Sequence, residues 1–291
     1  QTYKDFELIL VNDGSKDRTA IIVEEYRKKY PNVILVINQE NQGISCARNA
    51  GITVSCGRYL CFVDQDDLVE LNFVEKLIST AYEKDADIVK AAYTNEKNGR
   101  VKNIQEQTDI VVEGGLKDKL LQYRSYIFAG VYKRELFEHI NFPEGYWYED
   151  MITRTLLYRQ SKCFVHISDI LYRKQFHSSN AFEVVWDYRN YKCLEHIYLL
   201  INIIDTNLKL GIKEDVWFYK CILCEISTIL YQRIRGVDEK TKQMAFLEVC
   251  DIVDKIYRVE FEEELSEKEK LWQRTFLQKE YTLWLLLGGI Y

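Results

Sequence analysis

The first 110 residues of the chain switch repeatedly between two periods. Short apolar runs, Glu7–Val11, Val33–Ile37, Tyr59–Val63 and Ala86–Tyr93, have the length of strands and not of helices. Between them lie segments with apolar positions three and four apart. Thr19, Ile22, Val23 and Tyr26 form one, stopped by Pro31. Ile44–Val54 is a second, and Leu68–Tyr82, apolar at 71, 74, 77, 78 and 81, is a third. Strands alternating with helices predict βαβ units: an α/β fold with a mostly parallel sheet flanked by helices. In such a sheet ligands collect beyond the carboxyl ends of strands, so the turns after these runs are where chemistry is expected.

The rest of the chain reads differently. Residues 100–185 mix strands (Ile110–Val112, Ile127–Tyr132, Cys163–Ile167) with helices (Leu116–Tyr123, Asp150–Arg159). From about Trp186 the pattern is helical to the end, with a stripe of Tyr191, Leu194, Tyr198, Ile201 and Leu208 followed by the apolar segment Val216–Ile234. The expected division is an α/β domain over 1–185 and a helical region over 186–291. The 47% apolar content is enough to fill two such cores. A net charge of -6 argues against nucleic acid as the partner, because a dedicated binder carries a basic excess. The eight cysteines follow no framework spacing, which predicts reduced thiols. Cys221 and Cys224 form a CxxC with no second pair to complete a zinc site. The chain opens polar, and its most apolar stretch, Leu283–Ile290, is far short of the ~20 residues of a spanning helix. A cytoplasmic protein is expected, with the C-terminal helices as a core, a homodimer face or a peripheral membrane contact.

Five constellations carry chemistry. An apolar strand ends in Asp64-Gln65-Asp66-Asp67. Three carboxylates that close repel one another unless a cation joins them, and Mg²⁺ or Mn²⁺ takes such oxygen ligands together with substrate phosphates. One helix cap explains one of the three aspartates, not all. Asp13 ends the first strand, in Asn12-Asp13-Gly14-Ser15, and suits hydrogen bonds from a base or ribose, although a plain Asp-Gly turn explains it as well. The segment Asn41–Gly51 sets a glycine, Gly43, before a helix whose first turn offers backbone N–H groups. Arg48 within that helix suits a phosphate or ribose, or simply a surface carboxylate. Glu149 and Asp150 open a helix behind three aromatics, and a helix N-terminus favours the ionised form that a base needs. Arg173 and His177 follow a late strand, where an arginine suits a diphosphate and a neutral imidazole suits a metal. His139, His166 and His196 are assigned to surface or packing.

In this order the motifs resemble a family 2 inverting glycosyltransferase of GT-A fold. The stretches concerned are Leu8–Ser15, Asn41–Gly51, Phe62–Asp67, Tyr132–Leu136, Glu149-Asp150 and Tyr172-Arg173, and they cover about residues 1–180. The resemblance implies a nucleotide-diphosphate sugar as donor, a UDP-sugar first among them, and a glycan or lipid-linked acceptor in polysaccharide or cell-surface glycan synthesis. Asp13 would meet the nucleobase, Gly43 and Arg48 the nucleotide, and Asp64 the ribose or metal. Asp66 would hold Mn²⁺ or Mg²⁺, His177 would complete the metal or diphosphate site, and Arg173 would face the diphosphate. Asp150 would be the general base, with Glu149 shaping the acceptor site. The two acidic clusters, about 85 positions apart, would divide the work between leaving group and nucleophile.

Members of that family usually begin with a strand, a turn and a helix before the segment read here as Gln1-Thr2-Tyr3. Without that piece, a fragment or an incomplete donor site is expected. Ile127-Phe128-Ala129 also stands where family members often carry Trp-Asn-Lys. Two competing readings follow. One is a catalytically impaired sugar-nucleotide-binding module. The other is a phosphatase of the haloacid dehalogenase type, with Asp64 as nucleophile and Asp66 as acid; that motif belongs on a first strand, and here it ends the third.

Overall fold

The computed structural model describes residues 1–105, 108–113, 120, 123, 125–177 and 191–290. The chain divides into two compact units. One is Gln1–Gly145 with Glu149–His177, and the other is Tyr146–Tyr148 with Ser178–Tyr291.

The first unit opens with the predicted alternation. Strand β1 (Leu8–Asp13) leads through helix α1 (Thr19–Lys29) to β2 (Ile34–Gln39), and β1 and β2 pair in parallel from Leu8↔Ile34 to Asp13↔Gln39. Helix α2 (Ile44–Val54) follows, then β3 (Tyr59–Cys61). Asp17 accepts from the Thr19 N–H at 2.9 Å to start α1, and Arg27, Lys28 and Lys29 complement its C-terminal dipole.

The predicted helix over Leu68–Tyr82 is shorter than its pattern. Leu68–Val69 is a two-residue strand, β4, paired with Tyr172 and Arg173, and helix α3 spans Phe73–Glu83. Its buried residues Phe73, Leu77, Ile78 and Ala81 keep the spacing of a single stripe. Strands β5 (Ile88–Lys97), β6 (Arg100–Gln105), β7 (Ile110–Glu113), β8 (Gly130–Lys133) and β9 (Cys163–Phe176) complete the unit. The expected helix over Leu116–Tyr123 lies largely outside the described residues.

The sheet is mixed, where a mostly parallel one was expected. β5 runs parallel to β9 but antiparallel to β6 and β8. β3 pairs antiparallel with β8, and β4 and β7 pair antiparallel with β9. The order β3-β8-β5-β9-β4 forms a seven-stranded sheet with β6 and β7, and β1-β2 is a separate two-stranded one. β9, Cys163–Phe176, also runs nine residues past the expected Cys163–Ile167. Cys163–His166 and then Leu171-Tyr172 are buried, but exposed Ser168–Ile170 and the half-buried Arg173–Phe176 interrupt the apolar pattern, so periodicity does not reveal the full strand.

The core of this unit gathers Phe73, Leu77, Val89, Ala91, Tyr93, Phe128, Val131 and Tyr172. Lys90 is buried beside it. Its ammonium donates to the Tyr126 carbonyl at 2.7 Å, to the Phe128 carbonyl and to Tyr132 Oη at 3.1 Å. Gly130 leaves the room for this stem, since a Cβ there would stand 2.6 Å from Lys90 Cδ.

The second unit is helical where described: Glu195–Lys209, Val216–Cys224, Leu230–Ile234, Glu239–Ile256, Glu267–Leu277 and Tyr281–Ile290. The expected stripe on the first of these is corrected. Tyr198 and Leu208 are exposed, and the buried face is His196, Ile197, Leu199, Leu200, Ile203, Ile204 and Asn207. The helix carries apolar residues on both faces, so spacing alone does not choose between them. The C-terminal helix belongs to this core: Trp284 is fully buried, 5.2 Å from the Phe246 ring and 5.5 Å from Tyr231. Among the described residues no helix is long and apolar enough to cross a membrane.

Candidate functional site

Asp13 sits where β1 ends, and the chain folds a loop onto it. Its Oδ1 accepts from the Gln42 N–H at 2.9 Å and Gln39 Nε2 at 2.8 Å, and its Oδ2 accepts from the Gly43 N–H at 2.8 Å. The carboxylate thus closes the loop that starts α2. The Gly43 amide, expected at the nucleotide, is spent on this closure. Gly14 lets the two segments approach, because at φ +70° a Cβ would fall 2.7 Å from the Asn41 nitrogen.

Arg48, one turn into α2, is the centre of the arrangement. Its Nη1 donates to Glu149 Oε1 at 2.6 Å and its Nη2 to Asp64 Oδ1 at 3.0 Å. The side chain is 11% exposed, and its guanidinium lies 5.2 Å from the Phe142 ring centroid. Desolvation works against its charge. Glu149 first, then Asp64 and Asp150, outweigh it and hold the pKa above the ordinary arginine value. The two acidic clusters, read separately from the sequence, therefore meet at one cation. Sequence reasoning offered Arg48 a phosphate or a surface carboxylate; the structure gives it two half-buried carboxylates from distant segments.

The next residue adds a second tie. Asn49 accepts from the Phe142 N–H at 2.9 Å and donates to the Phe142 carbonyl at 2.9 Å and to Glu144 Oε1 at 3.0 Å. This clamp was not foreseen, although Asn49 lies inside the motif. Beyond the loop, Asp150 starts the helical residues 151–160, its carbonyl accepting from the Thr153 N–H at 2.9 Å. Thr153–Tyr158 within that stretch winds as a π-helix.

The turn after β3 separates its aspartates by role. The Asp67 N–H donates to the Asp64 carbonyl at 3.1 Å. Asp67 is buried, accepting from Tyr172 Oη at 2.7 Å and the Gln175 N–H at 2.7 Å, and burial raises its pKa against those hydrogen bonds. Tyr172 Oη in turn accepts from the Asp64 N–H at 3.2 Å. Asp67 and Tyr172 thus fix the backbone that presents Asp64 and Asp66. Asp66 Oδ2 lies 3.0 Å from His177 Nε2.

Asp64, Asp66 and His177 do not gather into one ligand set. Among the described residues no group of three or more His, Cys, Asp or Glu stands ready for a metal ion, and Asp64 is turned to Arg48. The Asp66–His177 pair by itself fits a hard divalent ion. Two cis donors around a six-coordinate ion at about 2.1 Å stand about 3.0 Å apart, and such ions draw the rest of their shell from phosphate and water.

Arg173 faces a partner that the sequence did not suggest. Glu96 on β5 accepts from its Nε at 2.9 Å and its Nη2 at 3.1 Å. Arg173, then Gln175, push the buried Glu96 carboxyl down to about 2. The parallel β5–β9 register, Thr94↔Arg173 and Glu96↔Gln175, brings the pair together. Of the three histidines assigned to surface or packing, His166 and His196 are buried and His139 is exposed.

Residues 1–148 match the model of glycosyl transferase family 2. The chain belongs to that family. This sets aside the phosphatase reading of Asp64 and Asp66. Glycosyltransferase GlyG of Streptococcus pneumoniae is 32% identical over 201 residues, 64% of this chain and 66% of that protein. The GalNAc(5)-diNAcBac-PP-undecaprenol beta-1,3-glucosyltransferase of Campylobacter jejuni is 26% identical over 180 residues, 60% of this chain and 57% of that protein. The family 2 chain thus spans less than two-thirds of the length of these relatives. Among solved structures, S. aureus TarS 1-349 in complex with UDP-GlcNAc superposes with a TM-score of 0.76 at 18% identity, covering 99% of this chain and 82% of that TarS 1-349 chain. That likeness establishes a GT-A fold, with its central mixed sheet flanked by helices and helices at the C-terminal end.

Proposed function

We propose that this family 2 chain is an inverting, metal-dependent glycosyltransferase. It would move a hexosyl group from a nucleotide-diphosphate sugar to an acceptor hydroxyl. The observation that carries the reading is the shared cation: Arg48 joins Asp64, on the donor side, to Glu149, beside the candidate base. A transferase needs its leaving group and its nucleophile on one line, and a helix bonded to both segments fixes their separation.

In this reading Asp13 and the loop it closes meet the nucleobase, and Asp64, oriented by Arg48, takes the ribose. Asp66 and His177 would hold Mn²⁺ or Mg²⁺ with the diphosphate oxygens. A cation bound there supplies Lewis-acid stabilisation of the charge developing on the diphosphate. Asp150 accepts the proton of the acceptor hydroxyl, which attacks the anomeric carbon from the face opposite the diphosphate, so the configuration inverts. Glu149, fixed by Arg48, borders the acceptor. Arg48 offsets charge that the adjacent carboxylates would otherwise accumulate. Arg173, seated on Glu96, lines the diphosphate side. The likeness to TarS solved with UDP-GlcNAc supports a UDP-sugar donor. The Campylobacter relative's name supports a lipid-linked glycan acceptor.

The test is a thermal-shift screen of UDP-, GDP- and dTDP-sugars with and without Mn²⁺, followed by nucleotide release from the best donor. Asp150→Asn should keep donor affinity and lose turnover about 10²–10⁴-fold, the range of a general base. Metal-dependent binding with no release by the unaltered chain would favour the binding-module reading. Full turnover by Asp150→Asn would move the base elsewhere.

A further inference from the structure

Tyr146–Tyr148 clusters with the helical unit, although the chain on either side belongs to the α/β unit. Gly145, just before it, and Tyr148, its last residue, are both left-handed, with φ +83° and +69°. Glycine adopts that region freely. A tyrosine is held there only where its surroundings over-determine it, and such residues cluster at functional sites.

The surroundings of Tyr148 are specific. The Arg233 guanidinium carbon lies 3.6 Å from the centroid of the Tyr148 ring, and the His196 ring tilts against the same ring at 5.6 Å. Arg233 Nη1 donates to His196 Nδ1 at 2.6 Å, so the imidazole carries its proton on Nε2, 3.3 Å from Glu225 Oε2. His196 and Glu225 are fully buried. One residue earlier, the Trp147 N–H donates to Glu195 Oε2 at 2.9 Å, and Lys192 Nζ sits 4.8 Å over the Trp147 ring. The buried Tyr148 hydroxyl has no hydrogen-bond partner among the described residues. The ring is what is gripped. A half-buried arginine backed by a buried His–Glu pair is a costly way to fill a helical core, and here the cation lies over an aromatic face. The two residues that follow Tyr148 are Glu149 and Asp150.

We propose that Arg233, backed by His196 and Glu225, is a positioning residue for Glu149 and Asp150: it clamps the Tyr148 ring, and the clamped left-handed Tyr148 sets the direction in which the chain enters the acidic pair. The effect passes along the backbone from 148 to 150. It rests on the reading of Asp150 as base.

The test uses the full chain with Arg233→Met, Arg233→Lys, Tyr148→Gly and the double variant Arg233→Met/Tyr148→Gly. UDP release is followed on whichever of UDP-Glc, UDP-Gal, UDP-GlcNAc or UDP-GalNAc the unaltered chain turns over fastest, alongside amide exchange over residues 144–152. Arg233→Met should lower kcat at least tenfold with donor KM within twofold, and speed exchange at 147–151 at least tenfold while the β5 and α3 amides stay protected. Arg233→Lys should recover part of kcat by restoring a cation over the ring. Tyr148→Gly should match Arg233→Met, and the double variant should lose no more than either. Unchanged kcat, a loss confined to KM, or multiplying losses in the double variant would overturn the proposal. If no UDP-sugar is turned over, unchanged exchange at 147–151 overturns it. If Arg233→Met unfolds, the Arg233→Lys split between kcat and KM decides. Asp150→Asn run in parallel separates the two readings: retained turnover there refutes the base and leaves the exchange result on the clamp standing.

Discussion

The α/β unit contains two layers that are held together by different physics. Around β5, β8 and β9 the glue is apolar: α3 buries Phe73, Leu77, Ile78 and Ala81 against the seven-stranded sheet. Around β1 and β2 it is polar. Helix α1 buries no residue and α2 buries only Ser45, while Ile21, Ile22 and Tyr26 stand exposed. What fixes this second layer is a set of named ties: Asp13 to the loop at Gln42 and Gly43, Arg48 to Asp64 and Glu149, and Asn49 to Phe142 and Glu144. The residues expected to do chemistry in this layer are the same residues that hold it. In the apolar layer the roles separate, so that Asp67 and Tyr172 hold while Asp66 is presented.

Four measurements test that contrast. The largest effect is expected for Arg48→Met, which leaves Asp64 and Glu149 without their cation and should destabilise the chain by about 3–5 kcal/mol. A urea midpoint close to that of the unaltered protein would show that the polar layer is held by something else. Leu77→Ala, in the apolar layer, should cost about 2–5 kcal/mol with no change in donor affinity. Loss of donor binding in that variant at temperatures where it stays folded would mean that the layers are not separable. The third is a pH dependence. Glu96 is held down near 2 by Arg173 and Gln175, from an ordinary 4.5. A depressed carboxyl contributes stability that is complete above its unfolded value and is lost as pH falls. Glu96→Gln should therefore be less stable than the unaltered chain at pH 6, with the gap closing between about pH 4.5 and about pH 2. A gap that is constant across that window would remove the Arg173–Glu96 pairing. The smallest effect is expected for Ile21→Ser on the exposed face of α1, within about 0.5 kcal/mol. A cost above 1 kcal/mol would show that this face is covered in solution.

The same contrast explains what the sequence disclosed. Elements β1 through β3 were legible because each is a local run with a clean period, and the turns at Asp13 and Asp64 were legible as strand ends. Leu68–Val69 was absorbed into a helix because its strand character comes wholly from Tyr172 and Arg173, more than 100 residues away. The outer part of β9 escaped for the same reason. At the site, residue types were visible and pairings were not. Nothing local marks Asp67 as the buried aspartate of the three, since Tyr172 and Gln175 make it so. Likewise, Arg48 offered a cation, and the sequence held no sign that both acidic segments would share it. In the helical unit the stripe through Tyr198 and Leu208 misled because both faces of that helix are apolar, and the buried face includes His196 and Asn207.

The central claim is that one cation on α2 binds the turn after β3 to the segment that carries Asp150. A double-mutant cycle on Arg48→Met and Glu149→Gln, read by urea unfolding, tests it without any substrate. The account predicts a coupling of at least about 1.5 kcal/mol, as for a close charged pair shielded from water. Effects that add to within about 0.5 kcal/mol would contradict it, because residues that share no interaction behave independently.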